Sequence, residues 1–162
     1  MKREVATLAG GCFWGMEDII RNIPGVLETT VGYTGGDVEN PNYNIVKLGT
    51  TNHAESVQVV FDPEKISFEN LLGYFFRMHD PTTVNQQGND KGSQYRSVIF
   101  YHSDEQKQTA LEVIKKISTA KKWGKPIVTQ VVPVKKFYPA EDYHQDYLKK
   151  NPGGYTCHWL RD

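Results

Sequence analysis

The sequence predicts an α+β fold: a two-layer ferredoxin-like sandwich of the split βαβ type, with helices packed on one face of a mixed sheet. The first observation behind this prediction is the order of hydrophobic patterns. They run strand, helix, strand, strand, helix, strand, followed by one more helix and strand. The second is length. A chain of 162 residues can form one ordinary core without disulfides, so residues 1–162 are predicted to form a single domain.

The first half of the chain supplies three strands and two helices. The first helix begins at Phe13, where apolar residues start to recur every three or four positions, and Pro24-Gly25 ends it. Alternation of side chains marks the strands, and Glu55 lies in phase with the apolar residues of the third. The predicted elements are a strand at 5–9, a helix at 13–23, strands at 29–33 and 55–61, and a helix at 68–75.

The second half begins with a polar loop at 85–96, which has no aliphatic side chain and is therefore predicted to be functional or mobile. A buried strand leads from it into a long helix, for which Ser103 and Gln106 form a capping box. The predicted elements are a strand at 98–101, a helix from 103 to 117, a strand at 127–132, a short polar helix at 140–150 and a flexible tail at 150–162.

The charge balance and the hydropathy pattern exclude several classes of partner. Nineteen basic and nineteen acidic side chains cancel, and the lysine pairs are scattered, which argues against a nucleic-acid partner. No stretch is apolar enough for a signal peptide or a bilayer span, so we expect no membrane partner and a cytoplasmic location. A monomer is expected. Two distant cysteines form no disulfide framework and point to redox chemistry.

The segment Gly11-Cys12-Phe13-Trp14-Gly15 places a thiol where a predicted strand passes into a predicted helix. The positive end of a helix dipole favours thiolate over thiol, so Cys12 is predicted to be an ionised, reactive nucleophile. The glycine before it permits a sharp turn, and Phe13 and Trp14 can form an apolar wall for a substrate group. The alternative is a small buried cysteine with no chemical role.

A nucleophilic cysteine that acts on an oxygen-bearing group needs a proton donor, and it needs hydrogen-bond donors for that oxygen. Because Glu55 shares its strand face with apolar residues, desolvation is predicted to keep its carboxyl neutral and able to give a proton. Tyr43 and Tyr95 lie in polar, loop-like sequence and can donate from their phenols. Each also has a structural alternative: Glu55 as a surface carboxylate at a strand end, and the tyrosines as packing residues.

Three other chemistries stay open at this point. Five histidines, at 53, 79, 102, 144 and 158, leave room for a Cys–His hydrolase in which an imidazole deprotonates Cys12. Cys157-His158 is an adjacent pair of metal-ligand types, but no second pair follows at zinc-finger spacing, so no metal is expected. The third is a non-enzymatic binding module, with Phe13, Trp14 and tyrosines forming an aromatic cleft for a peptide.

Cys157 lies in a glycine- and proline-rich segment at 151–157 that can carry its thiol to a distant sulfur. Such mobility suits a resolving cysteine, which attacks an oxidised cysteine to form a disulfide. The alternative is a tail cysteine with no partner.

Four blocks, in order and spanning nearly the whole chain, resemble the peptide methionine sulfoxide reductases of the A type. They are Gly11-Cys12-Phe13-Trp14-Gly15, His53-Ala54-Glu55, Gly88-Asn89-Asp90 with Gln94-Tyr95-Arg96-Ser97, and Tyr138-Pro139-Ala140-Glu141-Asp142-Tyr143-His144-Gln145. The chain departs from the family pattern at Asn52 and Ser93, where Gly and Thr are common. We expect neither change to abolish activity, because Asn tolerates left-handed backbone and Ser keeps the hydroxyl.

The resemblance implies a role for each candidate residue. It gives a catalytic set of Cys12, Glu55, Tyr43, Tyr95 and Asp90, a substrate-binding set of Phe13, Trp14 and His144, and Cys157 as the resolving residue. Cys12 would be the nucleophile and Glu55 the proton donor. The two phenols would hold the sulfoxide oxygen, Asp90 would belong to the polar network around the site, and Phe13 with Trp14 would receive the substrate methyl group.

The resemblance also implies the reaction, which is thiol-dependent reduction of protein-bound and free methionine-S-sulfoxide to methionine, a repair of oxidised proteins and peptides. Cys12 would become a sulfenic acid, and Cys157 would attack it to form a Cys12–Cys157 disulfide. Thioredoxin, or dithiothreitol in vitro, would then reduce that disulfide, with no bound cofactor. The S epimer is implied by the family alone, not by any residue.

Overall fold

The frame of the molecule is a six-stranded mixed sheet, seen in a computed structural model that describes residues 2–120 and 123–161. The strands are β1 (Glu4–Gly10), β2 (Val26–Thr34), β3 (Ala54–Phe61), β4 (Gln86–Gln87), β5 (Asp90–Lys91), β6 (Ser97–Tyr101), β7 (Gln130–Pro133) and β8 (Tyr138–Pro139). The helices are α1 (Phe13–Arg21), α2 (Tyr43–Val46), α3 (Phe68–Met78), α4 (Asp104–Ala120) and α5 (Tyr147–Lys150).

The strand order in the sheet is β7-β6-β1-β3-β2-β8. β1 pairs antiparallel with both β3 and β6, and β2 pairs antiparallel with β3. The inner order β6-β1-β3-β2 is that of a split βαβ sandwich, which confirms the predicted fold class. β7 extends the sheet parallel to β6 after the crossover through α4, and β4 with β5 forms a separate small hairpin.

The main core lies between the sheet and helices α1, α3 and α4. It joins Leu8 and Val57 of the sheet to Met16, Leu72 and Ala110 of the three helices, all at most 1% exposed. A smaller apolar cluster of Ala9, Ala54, Val98 and Phe100 lies apart from the main core. Apolar side chains therefore enclose the neighbouring ends of β1 and β3, where the candidate catalytic residues lie.

The structure departs from the predicted elements in the last third of the chain. The predicted strand at 127–132 is shorter and shifted, as β7. The predicted continuous helix at 140–150 is wrong: a 3-10 turn at 142–144 and α5 replace it. Asp146 breaks the helix with a left-handed backbone (φ 54°), held because its N–H donates to Glu17 Oε1 at 2.7 Å. Local propensity does not report such a long-range bond.

The last residues of the predicted flexible tail make contacts with the body of the molecule. His158 is 7% exposed and its Nε2 lies 2.8 Å from the carbonyl oxygen of Gly10. The backbone N–H of Arg161 donates to the oxygen of Arg77 at 2.8 Å, and Arg77 Nε donates back to the oxygen of Arg161 at 2.6 Å. The end of the tail is therefore docked on the body of the molecule. Within the described ranges, no helix is long and apolar enough to cross a membrane.

Candidate active site

Cys12 lies at the junction between β1 and α1, as the N-cap residue of the helix. Gly11 before it has φ 105°, a left-handed conformation that glycine adopts without strain. Cys12 is 9% exposed, and the backbone N–H of Trp14 acts to lower the pKa of its thiol. The helix N-terminus thus stabilises negative charge on the sulfur, as the sequence predicts.

The expectation of a resting thiolate at Cys12 is nevertheless wrong. Burial raises the pKa of this thiol well above its ordinary value, and the charge of Glu55 raises it further, which outweighs the opposing effect of the Trp14 N–H. Desolvation disfavours the charged form more strongly than one helix N–H can favour it. The free site therefore holds a neutral thiol.

Glu55 is 2% exposed in β3, and its Oε1 accepts a hydrogen bond from the backbone N–H of Phe13 at 3.2 Å. Burial raises the pKa of Glu55 to about 8, against the opposing effect of that hydrogen bond. The carboxyl is therefore neutral in most molecules at pH 7, as the phase of its strand indicates. Oε1 acts as the acceptor for Phe13, which leaves Oε2 free to carry the acidic proton.

Tyr43 is the first residue of α2, and Tyr95 is the last residue of a 3-10 turn at 93–95. Both phenols lie near Glu55. Burial raises the pKa of both phenols, and the charge of nearby Glu55 raises them further, so both are protonated hydrogen-bond donors at neutral pH. Glu141 fixes the backbone of Tyr43, since its Oε2 accepts the N–H of Tyr43 at 3.0 Å while Oε1 accepts the hydroxyl of Tyr33 at 2.9 Å.

An aromatic wall of Phe13, Trp14 and His144 stands beside these groups. The indole Nε1–H of Trp14 donates to His144 Nδ1 at 2.9 Å. On its other side, the indole stacks on Tyr147 with ring centroids 3.7 Å apart. The imidazole of His144 lies 5.2 Å from the ring of Phe13 and 4.7 Å from that of Tyr43. Sequence reasoning missed the supporting roles of Tyr147 and Glu141, although Glu141 belongs to the fourth block.

The structure brings the second cysteine into the same region. Cys157 Sγ lies 3.7 Å from Asp90 Oδ2, 3.9 Å from the oxygen of Gln87 and 3.8 Å from His158 Nδ1. The charge of Cys157 is among the influences that raise the pKa of Cys12. Cys12 and Cys157 are both reduced here.

The two departures from the family pattern are accommodated as expected. Asn52 adopts a left-handed conformation with φ 62°, and its side chain donates to Asp37 Oδ2 at 3.1 Å. The hydroxyl of Ser93 donates to the oxygen of Gly49 at 3.4 Å.

The other histidines have partners of their own. His53 bonds to Gly36 and Val38, His79 to Phe75 and Ser97, and His102 to Thr7. Among residues 2–120 and 123–161, no three His, Cys, Asp or Glu side chains come together as a metal site.

Comparison with known proteins identifies the family of this chain. The family model described as peptide methionine sulfoxide reductase matches residues 4–161. The chain belongs to the peptide methionine sulfoxide reductase family. A peptide methionine sulfoxide reductase of this family from Rhodopirellula baltica, MsrA 2, is 54% identical over 158 residues, which cover 98% of this chain and 92% of that protein.

Solved structures of peptide methionine sulfoxide reductases agree with this assignment. The crystal structure of reduced Mxr1 from Saccharomyces cerevisiae has a TM-score of 0.94 and 43% identity, covering 99% of this chain and 93% of that one. Mxr1 in complex with Trx2 gives a TM-score of 0.69 at 31% identity, with coverages of 99% and 91%. As a member of this reductase family, the chain reduces methionine sulfoxide to methionine.

Proposed function

We propose that Cys12, Glu55, Tyr43 and Tyr95 carry out the reduction, and that the reaction starts from two neutral groups rather than from a thiolate. The observation that carries this proposal is the buried carboxyl of Glu55. Burial raises its pKa to about 8, and the N–H of Phe13 donates to its Oε1. A neutral acid in a dry site can protonate an oxygen as charge develops on it.

In the first step, Glu55 gives its proton to the sulfoxide oxygen, and the two phenols stabilise that oxygen by hydrogen bonds. The carboxylate so formed takes the proton of the Cys12 thiol, and Cys12 Sγ bonds to the sulfoxide sulfur. The hydroxyl then passes from the substrate sulfur to Cys12 Sγ: the substrate sulfur–oxygen bond breaks, an oxygen bond forms on Cys12 Sγ, and the new S–S bond breaks with its electron pair left on the methionine sulfur. The products are methionine and a sulfenic acid on Cys12. The substrate sulfur is reduced, Cys12 is oxidised, and Glu55 recovers its proton. Phe13 and Trp14 receive the substrate methyl group.

In the second step, Cys157 attacks the sulfenic acid, which gives the Cys12–Cys157 disulfide and water. Thioredoxin reduces the disulfide, by analogy with the Mxr1–Trx2 complex. Asp90 belongs to the polar network, since its carboxylate touches the Cys157 sulfur. We further propose that residues 1–162 act as one catalytic domain, that the 150–162 tail moves during this step, and that the enzyme is a cytoplasmic monomer selective for the S epimer.

Mass spectrometry of a methionine sulfoxide peptide incubated with the protein and dithiothreitol tests this proposal. We expect the wild type to remove one oxygen from the S epimer alone, and C12S to remove none. A Cys–His hydrolase would instead leave an acyl group on Cys12, and a binding module would hold the peptide without changing its mass. Full turnover by C12S would overturn the assignment of the nucleophile.

A further inference from the structure

The imidazole of His158 bridges the backbone before Cys12 and the thiol of Cys157. Nε2 lies 2.8 Å from the carbonyl oxygen of Gly10, and Nδ1 lies 3.8 Å from Cys157 Sγ. A carbonyl oxygen can only accept, so Nε2 must carry the ring proton and Nδ1 must present a lone pair. The lone pair of Nδ1 is therefore within hydrogen-bond reach of the Cys157 thiol.

The surroundings of His158 keep this arrangement in place. The ring is 7% exposed, and its backbone N–H donates to Thr156 Oγ1 at 3.1 Å. The imidazole ring also packs directly on two glycines. A Cβ added at Gly15 would lie 2.5 Å from Nδ1 of His158, and one added at Gly11 would lie 3.1 Å from its Nε2. The glycines that flank Cys12 thus make room for this imidazole.

We propose that His158 is the general base of the resolving step, which takes the proton of Cys157 as that thiol attacks the sulfenic acid on Cys12. This inference rests on the proposed function, because it needs Cys12 to be oxidised. Cys157 Sγ bonds to Cys12 Sγ while its proton passes to His158 Nδ1. The sulfur–oxygen bond of the sulfenic acid breaks, and the hydroxyl leaves as water with a proton from Glu55. The imidazolium returns a proton through solvent to Glu55, so that Cys157 is oxidised, the sulfenic sulfur is reduced and the charges balance.

The charged groups around the pair are consistent with this role. Burial lowers the pKa of His158, Asp90 raises it and Arg161 lowers it, while His79 faces it as a neutral imidazole because burial lowers its own pKa to about 3. His158 is therefore neutral and able to accept at pH 7. Burial and the charge of Asp90 raise the pKa of Cys157, while Tyr155 opposes them through a hydrogen bond, so the thiol needs a base to react at neutral pH.

The test measures disulfide formation after one equivalent of methionine sulfoxide, in the absence of external thiol, by acid quenching and intact-mass analysis. His158→Gln keeps an N–H near Gly10 and removes the acceptor at Nδ1. We expect the step from sulfenic acid to disulfide to slow by about 10²-fold at pH 7, the lower end of general-base effects, so that the sulfenic acid accumulates. The difference between the two disulfide rates should narrow by at least tenfold as the pH rises from 7, because the fraction of Cys157 that is ionised without a base grows tenfold with each pH unit below its pKa. His102→Gln, a matched change at a histidine bonded to Thr7, should form the disulfide at the wild-type rate.

Two outcomes would overturn the inference. A disulfide rate in H158Q within twofold of wild type at pH 7 would show that Nδ1 takes no proton. Equal slowing at every pH would assign His158 a purely structural role in seating the tail. If the proposed function itself fails, the wild type yields no methionine in the first phase, which is a different result.

Discussion

The indole N–H of Trp14 donates to Nδ1 of His144 at 2.9 Å, across 130 positions of sequence. Because an indole nitrogen can only donate, this bond requires Nδ1 to be unprotonated and places the ring proton on Nε2. Burial lowers the pKa of His144, which keeps the imidazole in that neutral form at pH 7. Among the described residues, the buried Nε2 has no hydrogen-bond partner. These contacts support a positioning role for His144, exerted on the substrate pocket through Trp14.

We expect Trp14 and His144 to act as a coupled pair. His144→Gln removes the acceptor at Nδ1 and Trp14→Phe removes the donor, so each should raise KM for a sulfoxide peptide by roughly fivefold, the equivalent of about 1 kcal/mol for one hydrogen bond. The double variant should be little worse than either single variant. His144→Asn, whose side-chain oxygen can replace Nδ1, should restore most of the loss. Additive effects on KM in the cycle would contradict the coupling.

The rate of the first step should follow the protonation of Glu55. With a pKa of about 8, the carboxyl is the active acid below that pH, and kcat/KM should fall as the pH rises through 8. Glu55→Gln can donate a hydrogen bond but no proton, so kcat/KM should drop by about 10²- to 10⁴-fold and lose this limb of the profile. Glu64→Gln, at an exposed carboxylate, is the matched control and should keep the wild-type profile. An unchanged limb in E55Q would assign it to another group.

The same carboxyl should make the stability of the protein depend on pH. Its pKa is raised from about 4.5 in the unfolded chain to about 8 in the folded one, so between these values the folded state binds more protons. The free energy of unfolding should therefore fall as the pH rises from 5 to 8, by a few kcal/mol at most. Urea titrations at several pH values should show that the free energy of unfolding of E55Q depends less steeply on pH. The raised pKa would be contradicted if the free energy of unfolding of the wild type, minus that of E55Q, increased with pH over this window.

Replacement of Cys157 should separate the two reductants. With thioredoxin as the only reductant, Cys157→Ser should make about one methionine per enzyme and then stop as the sulfenic acid, because no disulfide forms. With dithiothreitol, which can attack the sulfenic acid directly, turnover should continue. Sustained thioredoxin-driven turnover by this variant would remove Cys157 from the cycle.

Gly15→Ala should stabilise α1 but weaken the contact between α1 and the tail. Alanine favours a helix over glycine by up to about 1 kcal/mol, but the new Cβ would overlap Thr156 Oγ1 and approach His158 Nδ1 to 2.5 Å. We expect disulfide formation to slow as the tail shifts. Gly73→Ala in α3 is the control, since a Cβ there meets no atom within 4 Å, and it should stabilise the fold without affecting the disulfide step. Equal disulfide rates in both variants would contradict the importance of the Gly15 contact.

Much of the fold and the site could be predicted from sequence because their causes are local. The alternation around Glu55 placed its carboxyl among apolar residues, and the spacing after Phe13 located α1 beside Cys12. The helix at 140–150 was predicted wrongly because its interruption at Asp146 depends on Glu17, far away in the chain.

The sequence by itself determined the order of the main strands and helices and the family, and it predicted which two sulfurs react, since each depends on residue types and short spacings. Only the tertiary structure decided the protonation of Cys12, the tautomers of His144 and His158, and the docking of the tail. These depend on how much water is excluded and on which atoms meet across the fold. Desolvation and directional hydrogen bonds act at distances of a few ångströms between residues that are more than a hundred positions apart in the chain.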